Sequence, residues 1–152
     1  MSEAIFHEPG GGRPIDLGSF AMTVKATGED TGNLFSLLEA EEPPGFGPPL
    51  HIHHDAAEAF YVLEGEYLMF LEERQVSCPA GSFVFIPAGM RHGFRVGDRP
   101  SRKLNFFFPA AMIGYFDELS AAVRRGDAED ALAAIATGHQ MEIAGPIPES
   151  YV

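Results

Sequence analysis

"PPLHIHHDAAEAFYVLEG", residues 48–65, sets His51, His53, His54 and Glu58 close together between apolar residues. The flanking runs "PLHIHH" and "EAFYVL" have the length and residue types of short β-strands, with a tight turn between them at His54 to Ala57. Side chains alternate along a strand, so His51 and His53 share one face while Ile52 points away. On the next strand Glu58, Phe60 and Val62 share a face, and Ala59, Tyr61 and Leu63 take the other. A third imidazole can come from "HGFRV", where His92, Phe94 and Val96 lie on one side. Three neutral imidazoles and a carboxylate, with coordination positions left open, are a ligand set for a divalent transition metal. Burying these groups without partners would cost several kcal/mol, which coordination offsets. His54 breaks the alternation and is expected to point outward.

On either side of this stretch the same texture continues. From Leu17 to Pro109 the runs "SFAMTVKA", "NLFSLLEA", "EYLMFLEE", "GSFVFIP", "HGFRVG" and "KLNFFFP" alternate with Gly, Pro and charged turns, the pattern of an all-β sandwich or barrel. After Pro109, "AAMIGYFDELSAAVRRG" and "DAEDALAAIATGH" carry apolar residues at helical spacing. Asp127 is the expected N-cap of the second helix, and Gly126 and Gly138 are the expected stops. The expected organisation is an N-terminal extension (1–16), a β-barrel (17–109), and C-terminal helices with an extended tail, "GPIPESYV", packing on the barrel (110–152). Covering an open face or edge is the expected role of the helices.

Composition narrows the function. The chain has 152 residues, 45% of them hydrophobic and 13 of them Phe, enough for one domain with a real core. A formal net charge of -12 repels phosphate backbones and anionic lipid, so neither nucleic acid nor a membrane is an expected partner. No window approaches the roughly 18 apolar residues of a spanning helix. The lone Cys78 cannot form an internal disulfide, and the start "MSEAIFHEPGGG" has no basic and apolar leader pattern, so the expected compartment is the cytoplasm. Cys78, followed by Pro79 in a turn-like segment, is read as a bystander. Tyr61, Tyr67 and Met69 receive no role, and Arg91 is read as a surface residue.

Two gapped motifs in this order resemble the cupin superfamily. The first runs Gly45, "FGPPL", His51, Ile52, His53, "HDAA", Glu58, "AFYVLE", Gly65; the second runs Gly81, "SFVFI", Pro87, Ala88, Gly89, "MR", His92, "GFR", Val96. Only Val96 departs, standing where the family often has Asn. The stretches "GEDTGNLFSLLEA", "FFFPAAMIGYFDELSAAV" and "MEIAGPIPE" look like the single-domain bacterial cupins related to quercetin dioxygenase. The resemblance implies a jelly-roll β-barrel (double-stranded β-helix) with C-terminal α-helices, and one metal held by His51, His53, Glu58 and His92. The metal is nickel, iron, cobalt, copper, manganese or zinc. Gly45, Gly65, Gly81 and Gly89 are expected at strand ends that need positive φ.

The activity implied is a metal-dependent dioxygenase acting with dioxygen on a small aromatic or enolic substrate, with Glu58 either as both ligand and base or as a plain fourth ligand, and with a homodimer as the assembly. Phe60, Val62, Phe94, Val96, Phe106 and Phe108 are the expected lining of a dry substrate pocket. A non-catalytic small-molecule or metal-binding cupin and a cupin isomerase are the alternatives. The isomerase is the weaker of these, because its polar substrates do not match an apolar wall.

Overall fold

A computed structural model describes residues 3–147. Its strands are β1 (Arg13–Asp16), β2 (Ala21–Ala26), β3 (Ser36–Glu42), β4 (Leu50–His53), β5 (Ala57–Glu64), β6 (Glu66–Leu71), β7 (Arg74–Pro79), β8 (Phe83–Ile86), β9 (His92–Val96), β10 (Ser101–Phe108) and β11 (Met141–Gly145). Three helices join them: α1 (Gly28–Thr31), α2 (Ile113–Arg125) and α3 (Glu129–Gly138). The strands form two antiparallel sheets, ordered β1-β2-β3-β10-β5-β8 and β11-β4-β9-β6-β7. This is a double-sheet jelly roll, in which the inner faces of the two sheets enclose the core.

Alternation determines what enters that core. Phe60, Val62, Tyr67, Met69, Cys78, Val84, Ile86, Phe94 and Val96 form one buried cluster. Ile15, Leu17, Met22, Val24, Leu38, Ala40 and Phe107 form a second, which the helical segment closes with Met112, Tyr115 and Ala136. The helices are tied to the first sheet's β1 edge by Arg13, whose guanidinium donates to both Asp117 oxygens at 2.8 and 3.0 Å. The Ser120 hydroxyl adds a bond to the Asp16 carbonyl.

Several expectations need correction. The segment 1–16 is not only an extension, because β1 pairs with β2 in register Ile15 to Met22. Cys78 lies inside β7, buried at 2% exposure and opposite Tyr67, rather than in a turn. β7 reads poorly because "RQVSCP" is a polar edge strand. The N-cap of α3 is Ala128, since Asp127 accepts instead from Arg125 at 2.8 Å. Gly126 does end α2 in the left-handed region, whereas Gly138 remains helical and His139 is the C-cap. The tail contributes β11, which pairs with β4. The part of "GPIPESYV" from 148 to 152 lies outside the described residues.

All four motif glycines take positive φ, as expected. Gly65, at φ 77°, shows a second reason: a Cβ there would lie 2.0 Å from Ser101 Oγ. That hydroxyl accepts the Glu66 N–H at 3.0 Å and so helps to bind the β5–β6 turn to the start of β10.

The largest correction concerns β10. Its inward residues are Ser101, Lys103, Asn105 and Phe107, all at most 4% exposed. Phe106 and Phe108, expected to line the interior, lie on the outer face. Their rings stack at 5.8 Å with 4° between planes, and each meets Phe35. The register decides this: Phe107 pairs with Glu58 and Asn105 with Phe60, so the odd-numbered residues share the face of Glu58. "KLNFFF" hides its parity, because the buried positions include two polar residues and the Phe run does not alternate.

Candidate metal centre

Each candidate ligand is placed by a strand facing the barrel interior. β4 supplies His51 and His53, β5 supplies Glu58 and β9 supplies His92, with His51 directly opposite His92 in the β4–β9 pairing. The imidazole centroids lie 4.4 Å apart for His51 and His92, 5.0 Å for His51 and His53, and 5.4 Å for His53 and His92. One ligand atom from each of the four residues lies within 4.8 Å of the others, and all four residues are buried. His51, at 9%, is the most exposed.

The hydrogen bonds fix how these groups face one another. His51 Nδ1 faces the Pro49 carbonyl at 2.8 Å and His92 Nδ1 faces the Met90 carbonyl at 2.9 Å. A ring that donates from Nδ1 presents the Nε2 lone pair, which is the tautomer a metal requires. His92 Nε2 lies 2.7 Å and His53 Nε2 3.4 Å from the same oxygen, Glu58 Oε1. His53 Nδ1 is buried without a hydrogen-bond partner. The other carboxylate oxygen, Oε2, accepts from Asn105 Nδ2 at 2.8 Å. A fixed carboxylate beside three imidazole nitrogens fits a divalent transition metal, and the site could hold one such ion.

The electrostatics agree with that fit at His51 and Glu58, while His92 is held towards its protonated form by Glu58. Burial, followed by the charges of His92 and His53, lowers the His51 pKa to about 3, so this imidazole is neutral and free to coordinate at pH 7. Burial alone would raise Glu58, but the charge of His53 and the hydrogen bonds from His53 and His92 outweigh it and hold the carboxyl well below its ordinary value. For His92 burial pushes downward, and the bond and charge of Glu58 prevail to raise it.

Among the other expected site residues, Phe60, Val62, Phe94 and Val96 face the interior and are packed against one another's neighbours in the core. Phe106 and Phe108 do not join them. His54 points outward and meets Glu142 at 3.2 Å, and Arg91 sits at the surface between Glu72 and Glu73. Asn105 and Phe107, which contact Glu58 and the His53 ring respectively, were missed because their strand face was misjudged.

Deeper in the barrel lies an ion pair that sequence reading also missed. Lys103 Nζ donates to Glu42 Oε1 at 3.1 Å and the Tyr67 hydroxyl donates to the same oxygen at 2.7 Å. Both charged side chains are 1% exposed. Burial, reinforced by the Glu42 charge, drives the Tyr67 pKa far upward, so its hydroxyl stays protonated as a donor. Surface depressions of about 230 Å³ beside Ser36 and Met112, and of about 400 Å³ beside Glu42 and Arg102, lie away from the four ligands.

A jelly-roll barrel with three inward imidazoles and a carboxylate is the architecture of a cupin with a possible metal site. Residues 38–107, just under half of the chain, match the cupin domain family, and the two-sheet barrel is the cupin jelly-roll fold. It is 31% identical over 97 residues to quercetin 2,3-dioxygenase of Bacillus subtilis, a stretch covering 64% of this chain and 29% of that protein. It is 33% identical over 75 residues to an uncharacterised protein of Methanocaldococcus jannaschii, covering 49% of this chain and 60% of that one. The chain thus spans less than two thirds of the length of either relative. An RmlC-like cupin from Shewanella frigidimarina superposes with a TM-score of 0.62 over 71% of this chain and 93% of that one, at 18% identity, a likeness of fold. No helix among the described residues is long and apolar enough to cross a membrane.

Proposed function

We propose that this cupin is a metal-dependent dioxygenase acting on a small aromatic or enolic substrate. The observation that carries the reading is the convergence of His51, His53, Glu58 and His92 inside the barrel, in a chain similar to a quercetin 2,3-dioxygenase. A divalent metal bound there would supply Lewis acidity towards an enolic oxygen and a centre for oxygen chemistry. Nickel, iron, cobalt, copper, manganese and zinc all suit imidazole and carboxylate ligands.

The protein's own residues have distinct parts. His51 and His92 offer Nε2 because their Nδ1 atoms are engaged by the Pro49 and Met90 carbonyls. Glu58 serves as a ligand and receives the enolic proton on Oε1, while Asn105 fixes Oε2 and with it the rotation of the carboxylate. The same imidazole contacts that keep Glu58 ionised weaken it as a base, so its ligand role is the stronger of the two. Phe60, Phe94 and Phe107 exclude water from the inner side of the cluster.

A non-oxidative reaction on a polar keto acid or sugar is a second reading. It gains support from the polar inner face of β10, which replaces the apolar wall expected from Phe106 and Phe108. For the assembly we propose a homodimer, formed through the outer face of the first sheet. There Phe83, Phe85, Tyr61 and Phe108 are 63, 54, 41 and 37% exposed on adjacent strands.

The test is dissolved-oxygen uptake by protein loaded separately with each metal and offered a panel of flavonols and smaller enols. Metal-dependent uptake that tracks substrate loss is expected. Absence of uptake with every loaded form refutes the dioxygenase and favours the non-oxidative reading.

A further inference from the structure

The ion pair beneath the metal centre has a direction. Along the inward face of β10, Phe107 stands opposite Glu58, Asn105 opposite Phe60 and Lys103 opposite Val62. Lys103 is therefore two inward positions from the level of the ligands. Its ammonium lies 4.4 Å from the centroid of Phe94 and 4.8 Å from that of Phe60. These two rings are the next inward residues after His92 and Glu58 on their strands. Glu42 pairs across the sheet with Ser101, one inward position farther from the centre. The cation thus stands nearer the ligands and its carboxylate farther away. Since two residues advance about 7 Å along a strand, the ammonium lies on the order of 10 Å from the ligands and the carboxylate a few Å beyond.

A buried ion pair is commonly no more stabilising than apolar side chains of the same volume, so its presence calls for another explanation. The aromatic rings accept the ammonium by cation–π contact without neutralising it, and the Tyr67 hydroxyl holds the carboxylate on the far side.

We infer that Lys103 and Glu42 are positioning residues that bias the metal centre towards a ligand bound as an anion, such as a carboxylate or an enolate. The inference rests on the metal reading proposed above and narrows it to a substrate class. Lys103 attracts negative charge to the open coordination positions, and Glu42 moderates the attraction so that a product can leave.

The test uses cobalt(II)-loaded protein, whose visible absorption reports ligands at the metal, titrated with azide as a small anion and imidazole as a neutral ligand. A unit charge acting over about 10 Å at an effective dielectric of about 20 changes affinity by roughly tenfold. Lys103→Met should therefore weaken azide binding about tenfold, and Glu42→Gln should strengthen it by a similar factor, with imidazole binding nearly unchanged in both. A merely structural role would shift both variants, and both ligands, in the same direction. Where a single variant does not fold, the Glu42→Leu/Lys103→Met double variant replaces it, and its ratio of azide to imidazole affinity should fall below that of the wild type. Same-direction shifts in the single variants, or an unchanged ratio in the double variant, overturn the inference. Failure of the wild type to develop any cobalt band before azide is added overturns the metal reading itself, and this inference with it.

Discussion

Replacing Asn105 with alanine removes the amide that donates to Glu58 Oε2 at 2.8 Å. Asn105 is 4% and Glu58 3% exposed, so water is poorly placed to take over the bond. A buried acceptor left without its donor costs on the order of 1–3 kcal/mol, and the ionised state of Glu58 puts this case in the upper half of that range. The carboxylate also loses the constraint that aims Oε1 at His53 and His92. About 2 kcal/mol corresponds to roughly 30-fold in metal affinity, within the 10- to 100-fold expected when a partner behind a ligand is removed. The measurement is competition for zinc or cobalt against a chromophoric chelator, together with thermal melting of the metal-free protein. Melting should fall by roughly 4–8 °C for a domain of this size. Asn105→Asp is the sharper companion, since it sets a second carboxyl against Glu58 and should make metal binding depend steeply on pH. Metal affinity within twofold of wild type in a folded Asn105→Ala protein would refute the orienting role of Asn105.

His51→Ala and His92→Ala should each lose most bound metal while retaining the β-sheet circular dichroism of the parent; full occupancy in both would remove them from the ligand set. Acid should destabilise the metal-free protein. The unfolded His51 side chain binds a proton near pH 6.5 while the folded one resists to about 3, so stability falls as pH drops through that window. The loss approaches 1.4 kcal/mol per pH unit for this group, about 2 kcal/mol between pH 6.5 and 4.5. His92, raised in the fold, has the opposite sign: its contribution is full below pH 6.5 and lost as pH rises through its folded value. Glu58, held low, adds stability above its unfolded value that disappears only as pH falls through its folded one. Melting temperature should therefore peak near pH 6.5, and a flat profile down to 4.5 would contradict the burial of a neutral His51. Finally, Phe85→Glu should yield monomers in sedimentation velocity with the melting curve little changed, whereas an unaltered dimer would exclude the outer sheet face as the contact.

The metal-site candidates were legible because their chemistry is dense and their spacing regular: His51 and His53 alternate on β4, and Glu58 and His92 are titratable residues set in largely apolar strands. The motif glycines were legible for a related reason, since turn geometry restricts them locally. Lys103, Asn105 and Glu42 were not. A polar residue on a strand ordinarily faces water, and these are inside because their partners come from other strands far away in the chain. The Phe run from Phe106 to Phe108 offered no alternation to reveal its parity, so the error on β10 moved both phenylalanines to the wrong side together. β1, β7 and β11 escaped notice because each is short or polar, and each is defined by the strand it pairs with rather than by its own composition.

β4, which carries His51 and His53, is held on one side by β9 and on the other by β11, with Met141 opposite His53 and Ile143 opposite His51. The His54 N–H is bonded to the Gln140 carbonyl at the same seam. On the ribosome, the histidines of β4 emerge early, and the strand that flanks them emerges only after the whole barrel and both later helices. Contacts so distant in sequence form late. A nascent chain therefore exposes His51 and His53 before the strand that flanks them exists, and the face of β4 that carries them is fixed on both sides only when the last strand docks.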